Sequence, residues 1–153
     1  MCLSVEGNSK SPVELRRANS GNTTGIISLF KDVSDKELNA KRVKSCIDEY
    51  PSVLALRNGK LVGFIYPSLF APDILELLNI AVQEVHRYSG VGSMMLSELE
   101  NQSSQKYSAI ILVNSFLYPF KETRKLASEF YSKNGYNLVH TTGSTNVFIK
   151  NLT

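Results

Sequence analysis

The sequence predicts an α/β (α+β) fold in one domain, a mixed and largely antiparallel sheet flanked by helices. Three observations lead there. Two β-rich runs flank Asn58-Gly59, the strongest short hairpin signal. The apolar run ILELLNIAV (74–82) turns through Gly90 and Gly92 into a helix, where Gly92, Met95, Leu96 and Leu99 recur at the spacing of one buried face. Two further β-rich runs close the chain around Gly143. Hairpins combined with strand–helix–strand segments call for a mixed sheet, not an all-parallel one.

The elements follow in order. Residues 1–11 are small and polar and read as a tail, which leaves 12–153 as the folded domain. VELRRA (13–18) alternates as a half-buried strand does. SGNTTGIISLFKDV (20–33) carries Ile26, Leu29, Phe30 and Val33 at helical spacing. The next helix opens on a capping-box pattern, Ser34 with Glu37, and has a weak stripe of Ala40, Val43 and Ile47. The Asn58-Gly59 hairpin comes next, and Pro67 and Pro72 are expected to bound a loop. After the 74–82 strand the glycine turn opens a helix that ends near NQSSQ (101–105). SAIILVN (108–114) is a buried strand by its continuous apolar run. KETRKLASEFYSKNG (121–135) has Leu126, Ala127 and Phe130 on one face, and its Gly135 suits a left-handed C-terminal cap. YNLVHTT (136–142) and TNVFIKNL (145–152) form the last hairpin. The order is β-α-α-β-β-β-α-β-α-β-β, with no internal repeat.

Composition narrows the function classes. A length of 153 residues, 42% hydrophobic and 20% charged, fits one globular core and excludes disorder throughout. No apolar run reaches the roughly 18 residues that a spanning helix needs. The N-terminus lacks the basic start and apolar run of a secretory signal, so a cytoplasmic address is the default. Cys2 and Cys46 form no disulfide framework, and no His or Cys cluster has metal-site spacing, so no metal is expected. The net charge of +3 is mild and the basic residues are scattered, which does not indicate direct nucleic-acid binding.

The glycine turn carries the chemistry. A Walker A loop needs a Lys and a Ser or Thr after its last glycine, and GVGSMML has no Lys. A dinucleotide fingerprint fails at Met95, which occupies the third glycine position. The pattern R-x-x-G-x-G is matched by Arg87, Gly90 and Gly92. All such turns share one physical basis. The first amides of a helix lack internal partners, and the helix dipole favours an anion there. A plain tight turn with a solvated Arg87 fits these residues as well.

The surrounding residues add a resemblance. LELLNIAVQEVHRYSGVGSMML (75–96) resembles the acetyl-CoA-binding core of the GNAT superfamily of N-acetyltransferases: a strand, a β-bulge, R/Q-x-x-G-x-G/A and a helix. ASEFYSKNGYNLV (127–139) resembles that superfamily's F-Y-x-x-x-G-F/Y signature, and the element order matches from Pro12 onward. The resemblance implies acetyl-CoA as cosubstrate. It implies that backbone amides of Arg87, Tyr88, Ser89, Gly90, Val91 and Gly92, with Ser93 following, hold the pyrophosphate. It implies that the backbone of Ile80, Ala81 and Val82 pairs with the pantetheine arm and polarises the thioester carbonyl. The 108–114 strand would form the other side of a splayed V. Where many relatives carry an Asn seven residues before the signature Tyr, this chain has Arg124.

Acetyl transfer to an amine needs a base, an oxyanion contact and an acid for the leaving thiolate. Glu76 is the base candidate, four residues before Ile80, where several histone-acetylating relatives carry a Glu; a solvent-facing Glu76 is the plainer alternative. Tyr131 fills the Tyr position of the second signature and is the acid candidate; the alternative is a Tyr packed at the core edge. Asn79 would orient substrate or bond local backbone. His86 and His140 are of the residue type that often serves as a general base, but they lie away from the expected bulge. Tyr118 lines either the acceptor pocket or a packed loop. The expected activity is direct acetyl transfer in a ternary complex to a primary amine of a small molecule, a peptide or protein, or a modified nucleotide. A non-catalytic acyl-CoA-binding module on the same fold is the alternative, and a nucleotide-binding protein of another fold is a third reading. A homodimer is compatible with such a family and nothing in the sequence decides it.

Overall fold

The computed structural model describes residues 11–115 and 121–152, without the side chains of residues 115 and 121–124. The elements are β1 (Glu14–Arg17), α1 (Thr23–Ser34), α2 (Ala40–Glu49), β2 (Val53–Arg57), β3 (Lys60–Ala71), β4 (Ile74–Val82), α3 (Val91–Ser103), β5 (Ala109–Ser115), α4 (Lys121–Lys133), β6 (Asn137–Thr141) and β7 (Thr145–Asn151). Short 3-10 turns precede α1 and follow β4. The predicted order is the observed one. The strands hydrogen-bond in the order β1-β2-β3-β4-β5-β7-β6. The β4–β5 pair is parallel, and the β1–β2, β2–β3, β5–β7 and β6–β7 pairs are antiparallel. Among the described residues no helix is long and apolar enough to cross a membrane.

The chain divides into two compact units, and β3 and β4 give residues to each. The first comprises Met1–Pro67 and Asn79–Gln102. Its core takes Ile26 and Leu29 from α1, Val43, Cys46 and Ile47 from α2, and Met95, Leu96 and Leu99 from α3. All five residues of β2 are buried, as a strand covered on both faces must be. Phe64 of β3 stacks on Tyr66 with centroids 5.9 Å apart and meets Phe30 edge-on at 6.3 Å. Asn58 (φ 51°) and Gly59 (φ 76°) are both left-handed, as a type I′ hairpin turn requires. Cys46 is buried and forms no disulfide.

Two sequence expectations fail for local reasons. The Ser34–Glu37 pattern caps no helix. Ser34 ends α1 and donates its hydroxyl to the Phe30 carbonyl at 2.6 Å, and Asp35 turns left-handed behind it. Asn39 caps α2 instead, its side chain accepting from the Arg42 amide at 2.9 Å. Nor do Pro67 and Pro72 bound a loop, because β3 runs through Pro67 to Ala71. Pairing with β2 ends at Ile65, so a proline beyond it removes no hydrogen bond from that ladder.

The second unit comprises Ser68–Leu78 and Ser103–Thr153. Parallel pairing joins Ile74–Leu77 to Ala109–Leu112, and β7 pairs with β5 along its whole length. One sheet face carries Leu77, Leu112 and Phe148 in register, and all three are buried. Three alternate residues of β7 on that face fix α4. Asn146 donates to Ser128 Oγ at 3.1 Å, Phe148 packs on Tyr131, and Lys150 donates to the Asn134 carbonyl at 2.9 Å. The helix ends in a Schellman motif: Tyr136 N–H bonds Tyr131 O at 3.0 Å, and Gly135 N–H bonds Ser132 O at 3.1 Å. Gly135 has φ +88°, as the sequence leads one to expect.

Candidate active site

In the first unit β4 ends in the glycine turn. Gln83 N–H bonds the Val62 carbonyl at 2.8 Å and fixes the exit of the strand. The 3-10 turn Glu84–His86 follows, closed by Arg87 N–H on the Glu84 carbonyl at 3.2 Å. The first backbone bond into α3 runs from Met94 N–H to the Gly90 carbonyl at 3.0 Å. Between these two bonds lie the amides of Tyr88, Ser89, Gly90, Val91 and Gly92. Among the described residues none of these five donates to the protein. They are unpartnered donors at the positive end of a 13-residue helix, with Tyr88, Ser89 and Gly90 exposed, Gly92 half-buried and Val91 buried, and unpartnered donors there suit a diphosphate. Gly90 has φ +86°, and nothing lies within 4 Å of a Cβ built on it, so the space beside the turn is open. The residues present therefore fit a coenzyme A pyrophosphate.

Two details differ from the sequence expectation. The Arg87 amide is committed to Glu84, so it is not among the open donors. The Arg87 side chain folds back, its Nε donating to the Val82 carbonyl at 3.0 Å. It braces the turn against the end of β4. Tyr88 is a second surprise: it is left-handed (φ 61°) and 91% exposed as a residue, so no packing holds it in that strained backbone. Ser89 Oγ donates to the His86 carbonyl at 2.6 Å and tightens the turn from inside. Of the strand segment expected to meet pantetheine, Ala81 is buried and Ile80 and Val82 are half-buried. Asn79, beside them, donates to the Tyr66 hydroxyl at 2.7 Å, so its amide is tied to β3. Burial raises the Tyr66 phenol above its ordinary value, and the Asn79 bond partly opposes that rise. A shallow cleft between the end of α1 and this turn is lined by Asp32, Val33, Gln83, Glu84, Val85 and Arg87.

The second unit holds the two acid–base candidates. Tyr131 lies on α4 with its ring against Phe130, Tyr136 and Phe148, at centroid distances of 5.2, 6.1 and 5.5 Å. Burial alone pushes its phenol up to about 12, so it keeps its proton at neutral pH. Glu76 is half-buried on β4 between the buried Leu75 and Leu77, so it points to the opposite sheet face. Its register partner is Ile111. Tyr131 packs on the Leu77–Leu112–Phe148 face, so the fold sets the two candidates on opposite faces of this unit's sheet. His140 is exposed on β6. Tyr118 lies outside the described residues, and so does the Arg124 side chain. No group of three or more metal-ligating side chains occurs among the described residues.

These geometries meet a family match. The model of the acetyltransferase (GNAT) domain matches residues 48–138, more than half the chain. The chain belongs to the GNAT family of acetyltransferases. Its GNAT fold recurs in solved structures of low identity. It is similar to the ribosomal-protein-S18-alanine N-acetyltransferase of Escherichia coli, with a TM-score of 0.77, 16% identity, and coverage of 93% of this chain and 95% of that one. It is similar to an aminoglycoside 6'-N-acetyltransferase complexed with coenzyme A, with a TM-score of 0.75, 19% identity, and coverage of 92% and 97%. It is also similar to the diaminobutyrate acetyltransferase of Paenibacillus lautus in complex with its substrate and coenzyme A, with a TM-score of 0.72, 22% identity, and coverage of 91% and 94%. No curated protein sequence matches the chain.

Sequence reading passed over one residue beside the glycine turn. Arg57, at the end of β2, is 8% exposed and contacts His86 beside the turn. A lone cation closing the apolar run VLALR was the one visible signal.

Proposed function

We propose that this protein transfers an acetyl group from acetyl-CoA to a primary amine, directly and with both substrates bound together. The observation that carries the reading is the set of five open amides at Tyr88–Gly92, in a chain with the GNAT fold. Acetyl-CoA supplies the activated thioester. The amides of the turn bind its diphosphate, and the backbone of Ile80, Ala81 and Val82 binds the pantetheine arm and stabilises the developing oxyanion.

Glu76 takes the proton from the attacking amine, directly or through water. The amine nitrogen bonds to the acetyl carbon as the carbonyl electrons move onto oxygen; their return breaks the carbon–sulfur bond, and the sulfur leaves with that bond's electron pair. Tyr131 donates a hydrogen bond to that sulfur. With its phenol pushed up to about 12, full transfer to a thiolate whose acid has a pKa of about 8.5 is uphill by roughly 5 kcal/mol. The phenol thus works as a hydrogen-bond donor, and the thiolate takes its final proton from solvent.

The acceptor classes are a small-molecule amine, a peptide or protein amine, and an amine on a modified nucleotide. The region 22–49 and the last hairpin are where they are told apart. The reading places the domain at 12–153 and the protein in the cytoplasm. Calorimetric titration with acetyl-CoA, with ATP and NAD as controls, tests the cosubstrate. Thiol release across an amine panel then tests transfer. Absence of acetyl-CoA binding overturns the reading, and binding without transfer or hydrolysis leaves an acyl-CoA-binding module.

A further inference from the structure

Arg57 is a buried guanidinium with no carboxylate partner among the described residues. Its Nε donates to the Ser11 carbonyl at 3.0 Å, and its Nη1 lies 3.0 Å from His86 Nδ1. Burying a cation against neutral acceptors alone is unfavourable, so the position calls for a reason. An arginine can only donate, so Nδ1 of His86 must be the acceptor. The ring is therefore neutral, with its proton on Nε2.

His86 is the hub of the coenzyme A turn. Its amide bonds the Gln83 carbonyl at 2.9 Å, and its carbonyl accepts from Ser89 Oγ. Arg87 and the five open amides follow it directly. Holding the His86 ring thus holds the start of the turn. The ring stays neutral for two reasons: partial burial first, then the positive Arg57 beside it, both of which lower its proton affinity. A protonated ring would lose the hydrogen bond and face Arg57 as a second cation.

We propose that Arg57 is a positioning residue for acetyl-CoA. It latches neutral His86, keeps the Tyr88–Gly92 amides aimed, and releases the turn when His86 takes a proton. This rests on the coenzyme A reading of the turn. The latch opposes simple electrostatics, because a cationic His86 beside a diphosphate would otherwise tighten binding as pH falls.

The test is acetyl-CoA affinity by calorimetry at about pH 7.5 and about pH 5.5, a span that brackets histidine titration. His86→Leu removes the acceptor. His86→Asn keeps an oxygen near the Nδ1 position and does not titrate. At the higher pH His86→Leu should bind about tenfold more weakly, the scale of one hydrogen bond to a charged group. His86→Asn should bind as the native protein does. At the lower pH the native protein should weaken relative to His86→Asn, which also cancels any titration of the ligand itself. A ligand-free NMR titration should show His86 protonating at higher pH in Arg57→Leu than in the native protein. Native binding with His86→Leu unimpaired overturns the latch alone, as does a native affinity that matches or exceeds that of His86→Asn at the lower pH. Failure of the native protein to bind acetyl-CoA at either pH overturns the coenzyme A reading, and the latch with it.

Discussion

Gly90→Ala separates the ligand role of the turn from its backbone strain, provided it is compared with Gly59→Ala. Both glycines are left-handed, at φ +86° and φ +76°, and a Cβ on either meets nothing within 4 Å. Neither substitution creates a clash within the protein. Both pay the same backbone penalty, roughly 1–2 kcal/mol for an L-residue in that region. For a chain of this length each kcal/mol lowers Tm by about 2–4 °C. Thermal melts should therefore show two similar losses. Binding should not be similar. The methyl group at position 90 enters the open space beside five unpartnered amides, where a diphosphate would lie. Loss of one amide–phosphate hydrogen bond, about 1.5–3 kcal/mol, weakens acetyl-CoA binding by roughly 10- to 100-fold. Gly59→Ala, in the β2–β3 hairpin turn, should leave the affinity unchanged. Equal acetyl-CoA affinities for the two variants, measured well below both melting temperatures, would refute the phosphate assignment.

Other outcomes follow from the same structure. Tyr131→Phe should lower kcat by about tenfold or more and spare KM, as loss of a contact made in the transition state does; an unchanged kcat removes the phenol from the reaction. The same phenol links stability to pH. Its folded value is raised to about 12 against an unfolded value of about 10, so the protonated state favours folding. That stability is whole below about pH 10 and falls by roughly 3 kcal/mol as pH rises through about 12, and Tyr131→Phe should flatten the loss in alkaline denaturation. Tyr88→Gly removes a strained left-handed bulky residue that is exposed, and should raise stability by about 1 kcal/mol in urea unfolding. Asn39→Ala removes the cap of α2 and should cost about 1 kcal/mol, whereas Ser34→Ala should leave the start of α2 intact. Equal losses from these two variants would contradict the observed cap.

The sequence alone determined the elements whose signals are local. The Asn58-Gly59 turn needs only two left-handed residues, the 74–82 run only its apolar pattern, and the Gly135 cap only the geometry of a helix end. It also named the turn at Arg87–Gly92, because spacing relative to a helix start is itself local. What it missed depends on contacts between distant residues. The capping box at Ser34 failed because Asn39, five residues on, offers the cap in the observed backbone. Pro67 entered a strand because β2 is too short to need its missing N–H. The opposite faces of Glu76 and Tyr131 follow from the register of β4, β5 and β7, and register is a property of pairing. Arg57 and His86 are 29 residues apart and meet only because the tertiary fold brings the end of β2 to the turn after β4. Local spacing placed the amides, and tertiary packing decided what holds them, because a buried charge finds its partner only in the folded chain.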